Sequence, residues 1–402
     1  MPPVYHKMNN RGKGFQMPPK HVIPGVYLDN AATTACDSRV VEAMVPYLTV
    51  TYGNPSSTHA WGRQARDVVE QCRARLLELM AGSGRFIFTS GATEANNLAI
   101  SAIISRGVET RRRRIFCLAT EHKSVIGPLK AFAQRAGLLV ELIPVASNGV
   151  LDHEVVENKL NDSVAAVIVQ LVNSETGVIQ NVARVASAAH EVGAWCMSDI
   201  TQGMGKLPIH LEALGVDLAS FSGHKIYGPK GIGGLYVSPA VQIGPMFWGG
   251  GQEHNVRPGT ENVPGIVGLA TAVELSSNLT TEDNQRITAL RDDLWQALSA
   301  LEGIHWNGQH APRVANHLNV TIDGVNGQEL LLRVRDVAFS VGSACNALAN
   351  RPSEVLRWMG RTVEEAESTV RFSLGRYTSM ADIVDASASL RRGIEAIRSE
   401  RA

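Results

Sequence analysis

From residue 85 onward the chain repeats one unit: a short apolar run rich in β-branched residues, a glycine or polar stop, then a helical stretch. The runs lie at 85–90, 115–120, 139–145, 165–172, 195–199, 218–222 and 232–237, and most are apolar at both odd and even positions. A strand that is apolar only at alternate positions covers one face of a sheet, whereas one apolar throughout must be covered on both. Between the first two runs, Ala95, Leu98, Ala99, Ala102 and Ile103 recur at helical spacing. Strands alternating with helices predict an α/β fold with a mainly parallel, doubly wound sheet of seven strands. Only residues 223–231 separate the last two runs. That is too short for a crossover helix, so the seventh strand is predicted to run antiparallel.

Glycines 249–251 and the segment to Gly268 are expected to close this block. Residues 282–301 read as a long amphipathic helix leading to a smaller αβ unit, with strands at 317–323 and 337–341 and helices at 353–360 and 380–398. A length of 402 residues, against about 150 per domain, predicts two domains. The large one spans 26–275, its first residues packing with the small one at 276–402. Residues 1–25 carry Lys7, Arg11, Lys13 and Lys20 without an acid and read as a flexible basic tail. No apolar stretch follows those charges, which excludes a secretory signal.

Charge and cysteine usage narrow the function classes. Lys plus Arg and Asp plus Glu both number 38, so no overall field recruits nucleic acid or an anionic membrane. The run from Arg111 to Arg114 reads as a solvated helix end, and direct nucleic-acid binding is not expected. No run of about 18 apolar residues exists to span a bilayer. The five cysteines, Cys36, Cys72, Cys117, Cys196 and Cys345, are far apart and form no CxxC. This excludes a Cys-built zinc site and argues against a disulfide framework. A protein of a reducing, cytoplasmic compartment is expected.

Lys225, in the sequence Ser222-Gly223-His224-Lys225, closes a buried run between glycines. It suits an amine that forms a Schiff base, although a surface lysine in a hairpin loop has the same surroundings. Asp199 ends another apolar run, at the edge where an open α/β sheet binds ligands. A helix cap is its ordinary alternative. Together a lysine and such a carboxylate match what pyridoxal phosphate requires, one for its aldehyde and one for its ring nitrogen. Ser90-Gly91-Ala92-Thr93-Glu94 leads from strand to helix and can cradle a phosphate or act as a plain N-cap. His122 and Gln202 fall near the same crevice edge, where His122 can stack on a cofactor ring and exchange protons, although either is equally read as an incidental loop residue. Cys345 lies in a run of small residues that predicts a mobile loop, where a travelling thiolate or an inert cysteine is equally at home. Arg371 can clamp a carboxylate or serve a structural salt bridge.

These residues sit in motifs that resemble the NifS/IscS-type cysteine desulfurases over about residues 26–398. The motifs are YLDNAATT at 27–34, GNP at 53–55, TSGATE at 89–94, EHK at 121–123, FSGHKIYGPK at 221–230, the segments 249–253 and 257–262, GSAC at 342–345, and 371–376. The resemblance implies a fold-type-I pyridoxal phosphate homodimer that converts L-cysteine to L-alanine and leaves a persulfide on the enzyme. It implies that Lys225 carries the cofactor, His122 stacks on its ring, Asp199 pairs with the ring nitrogen and Gln202 reaches the phenolic oxygen. Ala92, Thr93, Ser222 and His224 would hold the phosphate, with Thr260 reaching the other subunit's phosphate. Arg371 would bind the substrate carboxylate with Asn54 nearby, and Cys345 would take the sulfur for acceptor proteins. Those acceptors serve iron–sulfur cluster assembly, tRNA thiolation or DNA phosphorothioation. Ser174 stands where the family usually has a second asparagine, and Asn346 and Ala347 replace the usual Thr or Ser. The chain also ends at Ala402, without the tail that housekeeping members use to dock a scaffold. Selenocysteine or cysteine sulfinate lyase activity, which needs no loop thiol, is the nearest alternative. A sulfur-relay subunit with weakened turnover is another.

Overall fold

The computed structural model describes residues 25–341 and 352–401. After a short strand β1 (Val26–Tyr27), the seven predicted runs form β2 (Arg85–Thr89), β3 (Arg114–Leu118), β4 (Leu139–Ile143), β5 (Val164–Ile168), β6 (Trp195–Asp199), β7 (Leu218–Ser222) and β8 (Gly233–Val237). They make one sheet in the order β2-β8-β7-β6-β5-β3-β4. Every neighbouring pair is parallel except those of β8, which is antiparallel to both β2 and β7. The short link 223–231 thus has the predicted consequence.

Both faces of the sheet are covered, as the unbroken apolar runs require. Ile87, Ile115, Cys117 and Met197 face one layer, with Leu98 and Ile103 of helix Ala92–Glu109 and Leu129 of helix Lys123–Ala136. Phe86, Phe88, Phe116 and Phe221 face the other, with Val69 and Leu76 of helix Ala60–Leu79 and Val185 of helix Val182–Glu191. The period of two along each strand sorts neighbours such as Phe86 and Ile87 to opposite layers.

A second sheet is built from β9 (Ile304–Trp306), β10 (His317–Ile322), β12 (Ser340–Val341) and β13 (Thr369–Ser373), in the order β12-β13-β10-β9. Between β10 and β12, β11 (Val337–Ala338) pairs in parallel with β1. The expected single strand 337–341 is therefore two. Val337 and Ala338 bond the N-terminal segment, while Ser340 and Val341 bond Arg371 and Val370 of β13. Phe339 makes the switch and packs its ring on Phe372, 5.3 Å away.

The long helix begins earlier than its amphipathic stretch suggests and runs from Val263 to Ser299. Asn262 caps it and a proline occupies its first turn, a position where the missing N–H costs nothing. Gly265 and Gly268 lie inside the helix rather than closing a block. At Gly268 a Cβ would stand 2.7 Å from Met44 Sδ, so this glycine lets helix Ser38–Thr49 approach. Ile266, Leu269 and Val273 join the core of the large sheet, whereas Ile287, Leu290, Leu294 and Leu298 join that of the small one. Half of the arginine run is absorbed: Arg112 Nη1 donates to Val164 O at 2.9 Å and Val192 O at 2.7 Å, and Arg114 pairs with Glu141 at 2.5 Å, while Arg111 and Arg113 are exposed as expected. No helix among the described residues is long and apolar enough to cross a membrane.

Gly234 tests the packing of the reversed strand. A Cβ there would lie 2.0 Å from Phe86 Cζ, and that ring is held by Phe88 and Phe221 at 5.2 and 5.7 Å. Gly234→Ala is expected to cost about 1–3 kcal/mol through overpacking. A lowered urea midpoint at unchanged m-value would show it, and an unchanged midpoint would mean the layer is looser than described.

Candidate active site

Strands β2, β3, β6 and β7 all point the same way, so the segments that follow them converge at one edge of the sheet. Their side chains line a cavity of about 500 Å³. Asp199, the last residue of β6, is held from two sides. Its Oδ2 accepts from Asn96 Nδ2 at 2.9 Å and its Oδ1 from the Thr201 backbone N–H at 2.9 Å. His122 follows β3 and caps helix Lys123–Ala136, its Nδ1 facing the Ser124 N–H at 3.1 Å and Ser124 Oγ at 2.7 Å. Lys225 closes the single helical turn Gly223–Lys225 after β7. Its Nζ donates to Ala31 O at 2.7 Å and Ala32 O at 2.6 Å.

The helix after β2 begins at Gly91, whose φ of 153° suits glycine and which no side chain caps. Its leading N–H groups are left for a ligand, as at any uncapped N-terminus. Ala92, Thr93, Ser222 and His224 line the cavity beside it. Glu94 is turned aside, accepting from the Ser90 N–H at 2.7 Å and pairing with Arg257 at 2.7 Å, so its charge does not fill that end. Opposite stands Arg371 of β13. Its Nη2 donates to Asp29 Oδ1 at 2.6 Å and Ser340 Oγ at 2.9 Å, and its Nη1 to Ser174 O at 2.9 Å. Arg371 Nε is buried without a hydrogen-bond partner among the described residues, as are Gln202 Oε1 and Thr201 Oγ1.

Two cationic groups near the Lys225 amine are held toward their neutral forms. Burial, with Lys225 and Lys230 nearby, pulls His224 down to about 4. Burial and Lys225 pull Lys206 down to about 7. Burial, with Asp199 adding repulsion, pushes the Glu121 carboxyl well above the usual carboxylate range. A lysine amine, a fixed carboxylate, an open helix end and an arginine with a spare N–H can together hold a phosphorylated aromatic aldehyde and an amino acid.

Residues 26–385 match the class-V aminotransferase family. The chain is 41% identical over 368 residues to the cysteine desulfurase IscS of Rickettsia bellii, covering 90% of this chain and 89% of that protein. The chain belongs to the class-V aminotransferases, among the cysteine desulfurases. Its fold superposes on a NifS-like protein with a TM-score of 0.85 at 33% identity, over 93% of this chain and 99% of the other. It is also similar to SspA, solved in complex with cysteine, with a TM-score of 0.76 at 30% identity over 88% and 100% of the two chains.

Of the residues singled out in the sequence, Ala92, Thr93, His122, Asp199, Gln202, Ser222, His224, Lys225 and Arg371 line this one cavity. Asn54 and Thr260 are exposed and do not. Cys345 lies outside the described residues. Sequence reasoning missed Asn96, Ser124, Thr201 and the backbone of Ala31 and Ala32. Asn96 had a signal: it is an amide inside the apolar stripe of its helix, and a buried amide needs partners.

The depressed His224 gives a pH test on the cofactor-free protein. Between pH about 6.5 and about 4 the unfolded chain protonates this imidazole while the folded one does not, so the unfolded state binds more protons. Stability is therefore lost as pH falls through that window. His317, whose ionisation burial lowers well below the imidazole range, acts in the same direction. His224→Asn should lose less stability than wild type between pH 7 and pH 4.5 in urea titrations. Equal losses would place His224 in a wetter setting.

Proposed function

We propose that this protein is a pyridoxal phosphate-dependent cysteine desulfurase that converts L-cysteine to L-alanine, keeps the sulfur as a persulfide on Cys345 and passes it to acceptor proteins. The observation that carries the reading is one cavity in which Lys225, Asp199, the uncapped helix end at Gly91 and Arg371 meet, in a chain 41% identical to a cysteine desulfurase.

The residues present fit the cofactor. Buried atoms without partners, Thr201 Oγ1 and Gln202 Oε1, border the cavity, and buried polar groups left unpaired are costly unless a ligand meets them. The open helix end with Thr93, Ser222 and His224 would hold the phosphate. Asp199 would hold the ring nitrogen, Lys225 the aldehyde carbon and Gln202 the phenolic oxygen. When bound, the group supplies an electron sink for charge that develops on the substrate α-carbon.

The chain's own side chains do the rest. Arg371 orients the substrate carboxylate with its unpaired Nε–H, while Asp29, Ser174 O and Ser340 fix its plane. The Lys225 amine, held over the cavity by Ala31 O and Ala32 O, moves the proton at the substrate α-carbon. The Cys345 thiolate attacks the substrate sulfur, the carbon–sulfur bond breaks, and its electron pair returns to carbon and takes a proton. L-cysteine and a thiol thereby become L-alanine and a persulfide, with no outside oxidant or reductant.

The setting of the other thiols supports Cys345. Burial raises all four described cysteines above the ordinary thiol value of 9.0, Cys72 to about 11, and a thiol is nucleophilic only as thiolate. We further propose a homodimer in which exposed Thr260 reaches the partner's cavity. Exposed Trp61, Phe247 and Trp248 support a covered face.

Two experiments test the reading. Lys225→Ala should lose the absorbance band of bound cofactor and alanine formation, because the amine that anchors the aldehyde is gone; full turnover would defeat the assignment. Cys345→Ser should still take up cofactor and bind L-cysteine, yet gain no sulfur in mass spectra and make alanine at a small fraction of the wild-type rate. Sulfur found on Cys72, Cys117 or Cys196 would move the persulfide to another thiol and defeat the role of Cys345, and wild-type turnover of cysteine in the variant would point instead to a lyase that needs no loop thiol.

A further inference from the structure

Asn96 is fully buried on helix Ala92–Glu109 beneath the cavity. Its Nδ2 donates both hydrogens, to Asp199 Oδ2 at 2.9 Å and to Ser124 Oγ at 2.9 Å, and its Oδ1 accepts from the Ser220 hydroxyl. The amide orientation is forced, because an ionised carboxylate only accepts. Ser124 Oγ, already accepting from Asn96, has its own hydrogen left for His122 Nδ1 at 2.7 Å. The Ser124 backbone N–H also meets Nδ1, at 3.1 Å, and a backbone N–H can only donate. Two donors at one ring nitrogen leave no room for a proton there.

We infer that Asn96 and Ser124 are positioning residues that join Asp199 and His122 in one hydrogen-bond chain, fixing His122 with its proton on Nε2 as a donor toward the cavity. Protonating Nδ1 breaks the helix cap and disturbs Asp199 through the shared amide. His122 thus presents a donor of fixed orientation to the cavity. The consequence for the reaction rests on the function proposed above, but the tautomer itself does not.

Nitrogen-15 NMR of the histidine-labelled, cofactor-free protein near pH 8 reads the tautomer directly, with His122→Gln identifying the signal. The expected wild-type result is a proton on Nε2 and a bonded, unprotonated Nδ1. Ser124→Ala should shift the Nδ1 resonance and admit the other tautomer, and Ser124→Thr should restore the wild-type pattern. A proton on Nδ1 in wild type, or no change in Ser124→Ala, overturns the inference. In the cofactor-loaded enzyme, Asn96→Ala should lower kcat between about 10- and 100-fold. KM for L-cysteine should stay within about twofold, since Arg371 is untouched, and the pH dependence of the cofactor band should move. A fall in Tm with kcat and band unchanged would make Asn96 merely structural. If Asn96→Ala does not fold, Ser124→Ala decides. Wild type that binds no pyridoxal phosphate or makes no alanine would defeat the proposed function, while the NMR result would still settle the tautomer.

Discussion

The site depends on the crossing of residues 28–34 from the small sheet to the large one. Leu28 and Asn30 donate backbone hydrogen bonds to Ala338 O and Ser373 O, and the Ala31 N–H donates to Ser373 Oγ. Three residues on, Thr34 donates to His224 O, while Ala31 O and Ala32 O receive Lys225 Nζ. One short segment, turning at residues 30–32, therefore places Lys225, from the large sheet, at a set distance from Arg371, from the small sheet. The crossing is tight enough that a Cβ on Gly375 would stand 2.3 Å from Asn30 Oδ1. Two sheets with separate apolar cores need such a stitch, since hydrophobic burial is non-directional and sets no ångström-scale register.

Burial of charge around the cavity follows one logic. Asp29, Asp199 and Glu94 each meet a specific donor, whereas Lys206 Nζ and the Glu121 carboxylate oxygens have no hydrogen-bond partner among the described residues. An unpartnered buried ion neutralises rather than bearing the desolvation cost. The directions agree, with the Lys206 ammonium weakened to about 7 and the Glu121 carboxyl strengthened in its protonated form. Net charge at the cavity is thereby concentrated on groups that face it. In the proposed function, an anionic cofactor and a zwitterionic substrate would meet Arg371, Lys225 and a helix end rather than a diffuse positive field.

What could be read in the sequence tracks how local the determinant is. The seven strands of the large sheet and the reversal of the last were legible because apolar runs and the length of 223–231 are local facts. The paired strand β13 was not, since a buried arginine, Arg371, stands at its centre and breaks the apolar pattern. Helix Ala60–Leu79 was hidden likewise by Arg73, whose guanidinium is buried against Glu253 at 2.7 Å. The segment to Gly268 read as the close of a block, yet packing against Met44 uses the missing side chain of Gly268 within a continuing helix. In the site, Lys225, Asp199 and His122 follow strand ends and were visible. Asn96 joins Asp199 across 103 positions, a contact that no spacing rule contains.

The distribution of thiols carries the same reasoning to the chemistry. Cys117 and Cys196 sit within β3 and β6, fully buried, where desolvation disfavours the thiolate. Cys72 lies on helix Ala60–Leu79 and Cys36 beside Asp37, and both are raised as well. A core thiol cannot both pack in a strand and travel to a substrate sulfur, because movement by even one side-chain length opens a cavity in the layer. The proposed sulfur transfer therefore calls for a thiol other than the four described ones, and Cys345 is the remaining cysteine of the sequence. The constraint is physical: a strand that holds a group still for the site holds a thiol within it just as still.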